Sequence, residues 1–149
     1  MRRGFTLIEI TIVIALMAIF ITVYFLAANP GGQLAQARNS ERLSHLQAIL
    51  NYIEQDMADN NGLFVCSVGT IPTSTSRMTS DAGSGNYNIG PCLIPTYMGA
   101  LPFDPVATGG RYVSASNYDT GYSISMNASG TLTLSAPYAE LGITVSVLK

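Results

Sequence analysis

Gly4-Phe5-Thr6-Leu7-Ile8-Glu9 opens an apolar run that continues to Ala28, and the reading of this stretch decides the fold. Phe5 to Ala28 is 24 residues with one charge, Glu9, and Ile10 to Ala28 has none. At about 1.5 Å per residue such a helix is long enough to cross a hydrocarbon core of about 30 Å. Arg2 and Arg3 precede it, so the positive-inside bias predicts an N-terminus in the cytoplasm and everything after Ala28 outside. A secretory signal peptide has a shorter apolar core ending in a small-x-small cleavage site, whereas here Leu26 and Ala28 occupy the positions before Asn29. A plain anchor leaves Glu9 unexplained: a carboxylate one turn inside an apolar helix is costly without a partner and is by default a functional residue.

The rest of the composition narrows the function by exclusion. With 149 residues there is room for about one domain. Charged residues are only 11% and mean hydropathy is +0.30, so part of the chain prefers lipid or a partner to water. Seven Lys and Arg, scattered against nine Asp and Glu, are too few to neutralise a run of phosphates, which argues against nucleic-acid binding by the head. One histidine, His45, has no second ligand or nucleophile near it in sequence and reads as structural. No Cys/His cluster with metal-ligand spacing is present, and neither a catalytic site nor a cofactor is expected.

Gly4-Phe5-Thr6-Leu7-Ile8-Glu9 behind the leader Met1-Arg2-Arg3 resembles the class III leader of type IV pilins and type II secretion pseudopilins. The resemblance implies that a prepilin peptidase cuts between Gly4 and Phe5 and methylates the Phe5 amine. It also makes Glu9 the assembly carboxylate, paired inside a filament with the amine of a neighbouring subunit, where neither charge could stay unpaired cheaply. Loss of Arg2 and Arg3 leaves 5 basic against 9 acidic side chains, a net −4, and removes the cytoplasmic tether. Asn29 to Arg38 is similar to the second part of pilin helices from some bacterial lineages.

Asn29-Pro30-Gly31-Gly32 predicts a kink, a loosening or a stop. Beyond it Leu43, Leu46, Leu50, Ile53 and Met57 recur at helical spacing as one stripe, with Arg38, Glu41, Arg42, Gln47, Glu54 and Gln55 mostly off it. Asn60-Asn61-Gly62 is a helix stop. Ser67 to Gly90 is rich in Ser, Thr, Gly and Asn and reads as a surface loop bracketed by Cys66 and Cys92. An extracytoplasmic head favours a disulfide between these two, the alternative being two free thiols.

Four strands are expected after the prolines at 91, 95, 102 and 105: Arg111 to Ser116, Tyr122 to Asn127, Thr131 to Ala136 and Ile143 to Leu148, with a turn at Asn127-Ala128-Ser129-Gly130. Tyr112, Tyr118, Tyr122 and Tyr138 read as rim packing and sheet pairs. Leu101 to Pro105 followed by Gly109-Gly110-Arg111-Tyr112 looks like the connection before the sheet in many pilins and pseudopilins, where some pseudopilins hold calcium. Asp104 and Asp119 are the only carboxylates between Asp81 and Glu140, a sparse set for that ion, so a metal is not expected and Asp104 reads as a turn cap.

The expected fold is α+β: a long N-terminal helix packed in its second half on a four-stranded antiparallel sheet. The expected parts are a leader at 1–4, a transmembrane and assembly helix at 5–28, an amphipathic half at 29–60 and an extracytoplasmic head at 61–149. The expected role is a structural pilin subunit in the inner membrane that then polymerises into an extracellular filament. Its partners would be identical or related subunits, prepilin peptidase and an assembly platform. A type II secretion pseudopilin is the nearest alternative. An anchored binding domain that never polymerises is the alternative from another class.

Overall fold

The computed structural model describes residues 4–81, 83 and 85–149; the predicted leader residues Met1-Arg2-Arg3, and Ala82 and Ser84 of the predicted loop, lie outside the described residues. The chain divides into two compact units, Met1–Ala35 and Gln36–Lys149.

In the first unit α1 spans Leu7–Ala28 and buries none of its residues. Such uniform exposure of an all-round apolar helix means that its solvent is not supplied by this chain. Its two interior threonines return their hydroxyls to the helix, Thr11 Oγ1 to the Ile8 carbonyl at 2.9 Å and Thr22 Oγ1 to the Ala18 carbonyl at 2.8 Å, so neither needs water. The helix is long and apolar enough to cross a membrane. It stops at Ala28 because Asn29 turns left-handed, with φ 40° and ψ 63°. Pro30, which lacks the amide that a first helical turn leaves unpaired anyway, then starts α2, Pro30–Asp59. Asn29 serves both helices. It is the C-cap of α1, and its Oδ1 accepts the Gly32 amide at 3.3 Å, while Gln33 Nε2 donates to the Ala28 carbonyl at 2.6 Å.

In the second unit α2 continues to Asp59 and ends as the sequence predicts: Asn61 and Gly62 have φ of 56° and 86°, and the Gly62 amide returns to the Met57 carbonyl at 2.7 Å. Then come β1 Ser76–Thr79, β2 Asn86–Tyr87, a single helical turn α3 Gly90–Leu93, β3 Arg111–Ser114, β4 Asn117–Met126, β5 Leu132–Ala136 and β6 Val145–Leu148. The sheet runs β2-β1-β4-β5-β6, with β3 also pairing β4. Leu134 lies opposite Ile124 on one side and Val147 on the other, which places the apolar rows of three strands on one face. Leu46, Ile49, Leu50 and Ile53 of α2 cover that face, against Met78, Tyr118, Tyr122, Ile124 and Leu134.

The fold is α+β and pilin-like, and two expectations need correction. The sheet has six strands among the described residues rather than four, and it is mixed: β1 and β2 are parallel, the remaining pairs antiparallel. Both extra strands lie in the stretch read as a surface loop. β2 is two residues long and β1 has one large apolar residue, Met78, so neither carries an alternation that a sequence pattern can register. The helical stripe is also rotated. Ile49 is fully buried although it was not on the predicted stripe, and Leu43, which was, is 39% exposed.

Candidate functional site

The residues singled out by sequence fall in different units: Gly4, Phe5 and Glu9 at the start of α1, Cys66 and Cys92 in the second unit. Nothing lies within 4 Å of a Cβ placed on Gly4, so the Gly4–Phe5 bond stands in open space, and Phe5 is 86% exposed. Glu9 is exposed, and its carboxylate folds back onto the start of its own helix. Thr6 is the N-cap of α1, and its amide and hydroxyl both donate to Glu9 Oε2, at 2.8 and 2.7 Å, while the Glu9 amide donates back to Thr6 Oγ1 at 3.4 Å. This is a capping box, which satisfies the donors left over at a helix start. Thr6 is the residue that sequence reasoning passed over. The signal was present as a threonine three residues before an acid ahead of an apolar run. The bonds converge on one carboxylate oxygen and leave Oε1 without a partner among the described residues. Beside it Phe5, Glu9, Ile10, Ile12 and Val13 line an apolar groove of about 550 Å³.

In the second unit Cys66 and Cys92 are disulfide-bonded with Cα atoms 5.0 Å apart. The bridge ties the segment after α2 to α3. The chain it encloses is held independently: the Tyr118 hydroxyl donates to Asn88 Oδ1 at 2.8 Å, and Tyr87 donates to the Gly69 carbonyl at 2.7 Å. Burial pushes both phenols up, to about 12.

Arg42, expected off the buried stripe, is instead completely buried. Its Nε and Nη2 reach the two oxygens of the equally buried Asp104 at 2.7 and 3.1 Å, and its Nη1 reaches Asn39 Oδ1 at 2.8 Å and Glu140 Oε2 at 2.9 Å. Arg38 closes on Glu140 with bonds of 2.7 and 2.6 Å. Asn39 and Glu140 exchange side-chain and backbone bonds, which pins the chain before β6 to α2. The hydrogen bonds from Arg38 and then Arg42 hold the Glu140 carboxyl at about 2, below its ordinary 4.5. Asp104 also caps a turn as expected, accepting the Val106 amide at 2.9 Å. Gly121 lets β4 approach that turn: its φ is +73°, and a Cβ there would sit 2.5 Å from Ala107 Cβ.

Both carboxylates considered for calcium are thus committed to arginines, Asp104 to Arg42 and Asp119 to Arg77 at 2.7 Å. Among the described residues no three His, Cys, Asp or Glu side chains gather as a metal site. His45 Nδ1 lies 2.8 Å from the Tyr122 hydroxyl, the structural role expected of it. Of the four tyrosines expected as rim packing and sheet pairs, Tyr112 and Tyr118 do pair across β3 and β4, but Tyr118 and Tyr122 are core residues. Tyr138 stacks on Arg77, 5.6 Å from its ring centre.

The start of the chain thus combines an exposed Gly4–Phe5 bond, a capped carboxylate one turn into α1 and an apolar helix with no buried residue. Residues 1–25 match the family model described as the prokaryotic N-terminal methylation motif, so the chain carries the class III signal peptide of type IV pilins and pseudopilins. That match covers the leader and most of α1. No curated protein and no solved structure matches the chain.

Proposed function

We propose that this chain is a structural subunit of a type IV pilus, cut between Gly4 and Phe5 and methylated on the Phe5 amine by a prepilin peptidase, then polymerised through α1. The observation that carries the reading is the methylation motif lying on a helix with no buried residue. Before assembly lipid covers α1, with residues 1–4 as the cytoplasmic leader and residues 61–149 as the head outside. After assembly the α1 segments of neighbouring copies cover one another. Glu9 Oε1 is the free acceptor for the new Phe5 amine of an adjacent subunit, and the groove beside it receives apolar side chains of the same neighbour. The chain performs no chemistry of its own. Its partners are identical or related subunits, the peptidase and the assembly platform.

Electron microscopy of sheared cell-surface material, with peptide mass spectrometry of the purified filaments, tests this. Filaments containing the chain from Phe5 onward support the proposal. The chain recovered only in short envelope-bound filaments that depend on a secretin makes it a secretion pseudopilin, and a chain that never enters a filament is an anchored binding domain.

A further inference from the structure

The second unit exposes apolar surface at one end of its longest strand and an uncommitted cation at the other. At the Met126 end of β4, Met57, Leu63, Phe64, Ile71, Met126 and Gly130 line an apolar pocket of about 250 Å³. Leu63, in the wall of this pocket, is 70% exposed, and Val65 and Val68 follow on the same segment, also exposed. Three exposed aliphatic residues within six positions, next to a pocket they do not fill, are surface left for a partner. The helix end that feeds this segment is electrostatically unsatisfied. The last turn of α2 contains no basic residue to offset the negative pole of the helix, Asp56 is buried and accepts the Val65 amide, and Asp59 is exposed without a salt bridge among the described residues.

At the other end of β4 is the β3–β4 hairpin, where Arg111 lies opposite Asp119 and Ser114 opposite Asn117. Val113 is 67% exposed there. Among the described residues of this unit, Arg38, Arg42, Arg77 and Lys149 each have a carboxylate partner, while Arg111 has none. Its guanidinium bonds only to Asn117 Oδ1 and the Gly109 carbonyl, which holds it on the hairpin with N–H groups to spare. The ten residues from Asn117 to Met126 put roughly 30 Å of strand between the two ends, so they cannot meet within one chain.

We infer that these two ends bind each other between copies: Val113 and Arg111 on the hairpin of one head seat on Leu63, Val65 and Asp59 of the next. The occupant is a second copy because the apolar surface and the unpaired charge at each end find their complements at the other. The contact rests on the filament reading, and it is the kind a filament requires. Copies related by one repeated operation meet through two different patches, and such a heterologous contact continues without closing. It would tie head to head, independently of α1.

The test is done in the full chain in its own host. Val113→Cys and Leu63→Cys are placed together, filaments are sheared and oxidised, and the products are separated without reductant. The expected result is a ladder of covalent dimers and longer multimers, absent from either single variant. In parallel, Arg111→Glu and Asp59→Arg should each lower the yield of sheared filaments at least about tenfold, as like charges are brought together. The double reversal should restore it. Wild-type filaments with no ladder from the cysteine pair, or no rescue by the double reversal, overturn the contact while leaving the filament reading intact. A wild-type chain that makes no filaments overturns both.

Discussion

Arg42 and Asp104 form a two-pronged ion pair with both side chains completely out of solvent, Nε to Oδ2 at 2.7 Å and Nη2 to Oδ1 at 3.1 Å. Desolvating two charges is costly, and it is offset here because the Arg42 head finds acceptors in Asp104, Asn39 and Glu140 together. The pair joins α2 to the turn before β3, and through Glu140 to the chain before β6.

Removing both partners should therefore cost less than the two single removals combined. Arg42→Leu strands a buried carboxylate and should lower stability by about 3–5 kcal/mol, and Arg42→Leu with Asp104→Leu should cost clearly less than the sum of the singles. Chemical denaturation followed by circular dichroism or tyrosine fluorescence reads this, since the chain has no tryptophan. Additive losses would mean that the two residues act separately.

Glu140 sets an acid limit. Its carboxyl sits at about 2 when folded, against 4.5 ordinarily, so the unfolded chain takes up the proton first as pH falls. The stabilisation it supplies is complete above about 4.5 and is lost between there and about 2. Melting curves at pH 7, 4 and 2 should show this decline, and Glu140→Gln should flatten the Glu140 part of it. An unchanged slope in that variant would assign the acid sensitivity elsewhere.

How far these features were legible in the sequence follows from where their determinants lie. α1 rests on composition and a local acid, so Phe5, Glu9 and the break at Asn29 could be read directly. β4, β5 and β6 and the turn at Asn127 were legible because alternation and turn chemistry are local, although β4 begins at Asn117, five residues earlier than expected. Arg42 was misplaced because its environment is set by Asp104, 62 residues away. β1 was missed for the same reason: Ser76-Arg77-Met78-Thr79 becomes a strand only because β4 offers an edge, with Arg77 held by Asp119 on the outer face.

The disulfide follows the same division. Loop closure over 26 positions makes Cys66→Ser or reduction cost about 2–4 kcal/mol. Because β1 is paired to β4, the loosening should begin between Leu63 and Thr70 rather than across the whole enclosed segment. Hydrogen exchange before and after reduction would locate it. Equal loss of protection in β1 would mean that the bridge, rather than the sheet, holds that strand.

Glu9 should be dispensable for the head and required for assembly. Glu9→Leu removes the capping box with Thr6 and the free acceptor oxygen, yet adds no charge to an apolar helix. The variant should insert in the membrane in normal amounts, keep the Cys66–Cys92 bridge and give no filaments when it is the sole copy. Wild-type filament yield from Glu9→Leu would remove the assembly role.

Processing between Gly4 and Phe5 is read most directly from the intact mass and N-terminal sequence of the chain recovered from cells. A chain beginning at Phe5, four residues shorter than the full sequence and carrying one added methyl group on its amine, is expected. Recovery of a chain that begins at Met1, or one cut before Asn29, would contradict it.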